Sequence, residues 1–165
     1  MTLTLILTRH AKSSWGDPGL PDHARPLNKR GRASAEAMGI WLKKRELLPD
    51  QVLSSSSQRT RETYQRMALT ARSTTFTDDL YHASAQQILN ELNHATGQTV
   101  LLLGHNPGIA EFAGQIVQAP PDAERFHDYP TCATTVITFD APTWDEVDWH
   151  SGLVQDFILP RQLLD

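Results

Sequence analysis

Two short apolar runs of this chain each end in a histidine. Thr2-Leu3-Thr4-Leu5-Ile6-Leu7-Thr8 runs directly into Arg9-His10, and Val100-Leu101-Leu102-Leu103-Gly104 delivers His105. Either histidine alone reads equally well as a satisfied ring at a strand end. Two such strands, however, aim two imidazoles at one crevice, and open α/β sheets bind their ligands outside the carboxyl ends of their strands. A third element adds a cation: Arg59 falls in the first turn of a helix that follows Ser54-Ser55-Ser56-Ser57. Helix N-termini offer free N–H groups and partial positive charge, and guanidinium forks match phosphate oxygens in pairs. Such a pocket suits a dianionic phosphoryl group. Neutral imidazole attacks phosphorus near pH 7 once its other nitrogen is held. A second histidine, kept protonated by the bound anion, would stabilise charge on the transferring group.

The elements that must position these residues alternate between strand and helix. Asn28 caps a helix with an apolar face of Ala33, Ala37, Ile40 and Trp41, ending near Leu47-Leu48-Pro49. Gln51-Val52-Leu53 is a short strand and the serine run a connection of ordinary length. The next helix carries Thr60, Thr63, Tyr64, Met67 and Ala68 on one face, and Phe76 marks a brief extended segment. Ser84 caps a helix burying Ala85, Ile88, Leu89 and Leu92, and Val100 to Leu103 reads as a central strand. Asn106 as N-cap and Pro107 at the first position open a helix with Ile109, Phe112, Ala113, Ile116 and Val117 inward. Cys132 to Phe139 and roughly Glu146 to Ile158 read as antiparallel strands joined by Asp140-Ala141-Pro142-Thr143. This order predicts an α/β fold: a three-layer α/β/α sandwich with a mixed, mostly parallel central sheet.

Composition narrows the function classes. Residues 1–165 fit one domain, and 39% hydrophobic with 21% charged residues is enough apolar material for a proper core. A formal net charge of −4 argues against a nucleic-acid partner, yet leaves room for an anion site built from local arginines. Cys132 is the one cysteine, so no intrachain disulfide forms and a cytoplasmic location fits. With no base beside it, Cys132 reads as a small buried hydrophobe, not a thiol nucleophile. The N-terminal apolar run is too short for a signal peptide or a spanning helix, and no membrane partner is expected. His23, His82, His94, His127 and His150 lack metal-ligand spacing, and no metal or other cofactor is expected.

Leu7-Thr8-Arg9-His10-Ala11 resembles the Arg-His-Gly signature of the histidine phosphatase superfamily, which includes the cofactor-dependent phosphoglycerate mutases. Ser55-Ser56-Ser57-Gln58-Arg59-Thr60-Arg61-Glu62-Thr63 is similar to its Ser-Pro-x-x-Arg-Ala-x-x-Thr motif, with Ser56 in place of proline, and Gly104-His105-Asn106-Pro107-Gly108 to its second-histidine motif. Arg9 to Trp15, Asp22 to Gly31, Pro130-Thr131 and the closing Phe157-Ile158-Leu159-Pro160 resemble the short SixA-type phosphohistidine phosphatases. The resemblance spans nearly the whole chain. It implies a phosphoglycerate mutase-like fold, His10 as the phosphorylated nucleophile, Arg9 and Arg59 as phosphoryl clamps, and His105 completing the pocket. Ser13 and Ser14 become candidate hydrogen-bond donors to substrate, with loop capping as the alternative. Lys12 and Arg25 become candidate substrate-facing cations, with a solvated surface as the alternative, and Trp15 reads as loop packing.

One departure bears on substrate. Mutases and many phosphomonoesterases of the superfamily carry an acidic proton donor after a Leu-x sequence; here the stretch is Asp79-Leu80-Tyr81-His82, with His82 in place of the acid. An alkoxide leaving group needs a proton badly, whereas an imidazole, whose conjugate acid has a pKa of about 6.5, needs it less. Asp17, Asp22 and His82 remain candidate donors. The expected activity is a phosphatase acting on phosphohistidine or a related substrate through a covalent phosphohistidine. The expected partner is a phosphorylated protein, such as a histidine-phosphotransfer domain, or a small phosphorylated molecule, with phosphate or another oxyanion in the pocket. The alternatives are a small-molecule phosphomonoesterase or mutase, and a non-catalytic phosphate-binding module.

Overall fold

A computed structural model describes residues 2–164. The elements run β1 (Thr2–Arg9), α1 (Lys29–Lys44), β2 (Gln51–Ser55), α2 (Gln58–Met67), β3 (Ser73–Thr77), α3 (Ala85–Asn93), β4 (Thr99–Gly104), α4 (Gly108–Ile116), β5 (Thr134–Asp140) and β6 (Leu153–Ile158). All six strands join one sheet in the order β3-β2-β4-β1-β5-β6. The first four strands in that order pair in parallel, and β5 runs antiparallel to both β1 and β6.

Alternation along the central strands makes the three layers. Leu5 and Leu7 of β1 and Val100 and Leu102 of β4 pack with Ile88, Leu92, Phe112 and Ile116 of α3 and α4. Ile6, Leu101 and Leu103 point the other way, onto Ala35, Met38 and Leu42 of α1 and Met67 at the end of α2. A strand pair buried on both faces is apolar where it crosses the core, as Leu5 to Leu7 and Val100 to Leu103 are. Their shared carboxyl edge, Arg9 against Gly104, therefore carries His10 and His105 out side by side.

Local signals fix the connections. The Asn28 side chain accepts from the Gly31 N–H at 2.8 Å, capping α1. A Cβ at Gly31 would lie 2.0 Å from the Lys12 carbonyl oxygen, so only glycine lets the loop after His10 pass over the start of α1. Ser84 and Gln87 form a reciprocal capping box on α3.

Three expectations need correction. The buried face of α1 is Ser34, Ala35, Met38 and Leu42, and Ile40 is exposed, because the sheet meets the helix one residue round from the predicted stripe. The Asn106 side chain does not cap α4; its amide is committed to the carbonyls of Asp128 and Tyr129, and Pro107 occupies the cap position without a side-chain bond. The final strands are Thr134–Asp140 and Leu153–Ile158, joined by a longer excursion that buries Trp144 against Phe139. Cys132 precedes β5 at a φ of 63°, a left-handed turn, so it cannot begin the strand.

Candidate active site

The loop after β1, the start of α2 and the loop after β4 meet in one pocket of about 230 Å³ that is lined by Arg9, His10, Arg59 and His105 among others. The chain holds His10 from both sides: its N–H donates to the Gly104 carbonyl at 3.1 Å, and its carbonyl accepts from Cys132 at 2.9 Å. Its Nδ1 lies 2.7 Å from the Ala11 carbonyl oxygen, which can only accept. Nδ1 therefore carries hydrogen, and in the neutral ring Nε2 is the bare nitrogen. Burial, with Arg9, Arg59 and Arg25 adding to it, pushes the His10 pKa down to about 3 against the opposing pull of that hydrogen bond. The ring is neutral at pH 7.

The His105 ring lies 5.2 Å from that of His10, centroid to centroid. Its Nε2 pairs with Ser55 Oγ at 2.8 Å, and its buried Nδ1 has no protein partner among the described residues. Burial first, then His10, Arg59 and His82, lower its pKa to about 2. Ser57 caps α2 and places Arg59 in the first turn, almost wholly buried. Arg59 spends one Nη1 hydrogen on the Asp22 carbonyl at 2.7 Å and one Nη2 hydrogen on the Asp22 carboxylate at 3.0 Å. Three of its five N–H donors remain, including a buried Nε without a partner among the described residues. Arg9 donates from Nη1 to the Tyr129 carbonyl at 3.1 Å, and its buried Nε is likewise unpartnered. The pocket thus concentrates free donors and positive charge around a neutral imidazole.

The secondary candidates divide. Ser13 lines the pocket and accepts from Arg25 Nη1 at 3.0 Å. Ser14 lies outside it, where its Oγ caps the loop by accepting from Gly16. Lys12 lines the pocket as an exposed cation. Arg25 is not a solvated charge: it is buried, bonded to Asp22, Ser13 and the Ser14 carbonyl. Trp15 is not packed in its loop either; it is 74% exposed at the pocket rim, with the Arg25 guanidinium 3.6 Å from its ring centre.

Of the three donor candidates, Asp17 is spent on the Gly19 N–H and does not line the pocket. Asp22 does line it, as an anion. Burial opposes its ionisation, but hydrogen bonds from Tyr81, Arg59 and His82 outweigh that and hold the carboxyl well below its usual range. His82 lines the pocket with Nε2 on Asp22 Oδ2 at 3.0 Å and its ring 5.0 Å from that of His105. Its φ of 52° is left-handed, a conformation a non-glycine residue keeps only when its surroundings impose it.

Sequence reasoning missed the supporting polar groups. Tyr81 on Asp22, Ser55 on His105 and Thr131 in the pocket wall carry no periodic or charge signal. Ser56, standing where the resembled motif has proline, accounts for itself: it donates to Asp78 and so accepts from His23 Nε2 at 2.9 Å. Cys132 is fully buried, and burial raises its thiol to about 12, which suits packing and not nucleophilic attack.

Comparison with known proteins agrees with this architecture. Residues 5–81 match the model of the histidine phosphatase superfamily, branch 1. An uncharacterised chloroplastic protein of Arabidopsis thaliana is 32% identical over 162 residues, covering 90% of this chain and 72% of that protein. A structure from Nakamurella multipartitia, described as a candidate phosphohistidine phosphatase SixA, is 26% identical and superposes with a TM-score of 0.84 over 97% of each chain. A similarly described structure from Agrobacterium tumefaciens is 27% identical, with a TM-score of 0.77 over 96% of this chain and 98% of that one. On the family match, the identity and the shared fold together, this chain belongs to the histidine phosphatase superfamily.

Proposed function

We propose that the protein is a phosphohistidine phosphatase that works through phosphorylated His10. The observation that carries this reading is the state of His10: a buried neutral ring, its Nδ1–H fixed on Ala11, among Arg9, Arg59 and His105. Arg9 and Arg59 hold the phosphoryl oxygens with their remaining N–H groups. His10 Nε2 attacks phosphorus as the bond to the leaving atom breaks. The anion's charge favours protonation of His105, which is neutral without it, and the resulting cation stabilises the transferring group. Water then cleaves the P–N bond to His10 and releases phosphate.

His82 supplies the leaving group's proton. It is the pocket-lining donor candidate left once Asp17 is placed outside the pocket and Asp22 is fixed as an anion, and its Nε2 is held on that anion at 3.0 Å. The positive charge needed for phosphoryl transfer comes from arginine, so activity should survive excess EDTA; a loss restored by one added metal would contradict this.

The pocket's size supports a protein-borne substrate. About 230 Å³ is below the roughly 300–1,000 Å³ of sites that enclose a small-molecule ligand, so little beyond the phosphoryl group and its immediate attachment is enclosed. The direct test is a substrate panel of phosphorylated histidine-phosphotransfer domains, phosphoserine and sugar phosphates. Preferential turnover of phosphohistidine is expected. Equal kcat/KM on sugar phosphates would make the protein a general phosphomonoesterase.

A further inference from the structure

Beside the catalytic pocket lies a second depression, a groove of about 580 Å³, and Lys12 and Thr131 form part of the wall of both. Four cationic side chains line it, Lys12, Arg30, Arg125 and Arg161, with no carboxylate among its described lining residues. Arg125 is paired with Asp128 at 2.8 Å. Lys12, Arg30 and Arg161 are exposed and enter no ion pair among the described residues. In a chain of net charge −4, this is a local reversal of sign, and it adjoins the site of reaction. The rest of the groove is partly apolar, with Pro130, Leu159 and Pro160 contributing. Pro130, Leu159 and Pro160 do not line the catalytic pocket, yet all three line this groove.

We propose that this groove holds an acidic stretch of the phosphorylated partner protein while its phosphohistidine enters the adjoining pocket, an inference that rests on the protein-substrate reading above. A pocket that encloses little beyond the phosphoryl group cannot by itself tell one phosphorylated protein from another. Charge complementarity at a contiguous surface supplies that discrimination, and it acts mainly on encounter and KM. Exposed ion pairs are individually weak, so three free cations together should give a preference of about tenfold, one that shrinks with added salt.

The test uses the full-length enzyme and its Arg30→Glu/Arg161→Glu variant; neither residue lines the catalytic pocket. Substrates are p-nitrophenyl phosphate and phosphotyrosine peptides with Glu-rich or Lys-rich flanks. The same peptide pair bearing phosphohistidine forms a separate arm. The wild type should favour Glu-rich over Lys-rich phosphotyrosine peptides about tenfold in kcat/KM, through KM. The variant should reverse that preference while hydrolysing p-nitrophenyl phosphate at the wild-type rate. If the double reversal lowers p-nitrophenyl phosphate turnover, Arg30→Ala/Arg161→Ala decides instead, and its preference should fall toward unity. No flank preference in the wild type, or one that survives substitution, overturns the groove. Flank preference on phosphotyrosine with phosphohistidine left intact contradicts the phosphohistidine reading and keeps the groove. Phosphohistidine turnover blind to flanks does the reverse.

Discussion

Asp22 and Arg59 make a two-point contact across the pocket wall. The carbonyl and carboxylate of Asp22 each accept from a different terminal nitrogen of Arg59, at 2.7 and 3.0 Å. The same carboxylate also accepts from Tyr81, His82 and Arg25, so one anion holds four cationic or titratable side chains around the pocket. Asp22 is thus a positioning residue.

Asp22→Asn should lower kcat by roughly 10- to 100-fold through loss of Arg59's alignment. Because Asp22 holds both the phosphoryl clamp and His82, aryl, alkyl and phosphoramidate substrates should all lose activity, alkyl phosphates most, and tungstate inhibition should weaken in parallel. A loss confined to poor leaving groups would instead make Asp22 the proton donor.

His82 should show that confined loss. Removing a positioned general acid typically costs ~10²–10⁴-fold, felt where the leaving group most needs a proton. His82→Gln should leave p-nitrophenyl phosphate turnover nearly unchanged and depress alkyl phosphates by about that factor. The dependence of rate on leaving-group pKa should steepen accordingly. Equal losses on both classes would reduce His82 to a structural role.

Stability should depend on pH through the two buried imidazoles. An unfolded histidine titrates near 6.5, whereas the folded values are about 3 for His10 and about 2 for His105. Their contribution is fully present above pH 6.5 and is lost as pH falls toward 3, because only the unfolded chain takes up the protons in that window. Each group adds a slope of at most about 1.4 kcal/mol per pH unit. Urea midpoints measured from pH 7 to 4 should fall less steeply for His10→Ala/His105→Ala than for the wild type. Parallel curves would show that neither ring is held neutral.

The sheet and the four central residues were legible because each rests on a local pattern. Apolar runs ending in Arg9-His10 and His105 mark strand ends, and Ser57 before Arg59 marks a helix start. What was not legible depends on partners distant in sequence. Arg25 looks like a surface charge until Asp22, Ser13 and the Ser14 carbonyl enclose it, and only that burial leaves Trp15 outside on its guanidinium. The face of α1 is not fixed by the sequence pattern, because its alanines and glycines give too little hydrophobic contrast to set a helix's rotation. The length of the last connection is hidden because Val147 and Trp149, within the expected strand, are strand-favouring residues that instead pack on the core from a loop.

The central claim is tested most directly by trapping the covalent intermediate. Enzyme mixed with a phosphodonor and quenched in alkali should carry one acid-labile phosphate, mapped by mass spectrometry to His10. His10→Ala should remain folded, bind tungstate weakly and carry no label. Phosphate found on Cys132 or on a serine, or undiminished turnover by His10→Ala, would contradict the account.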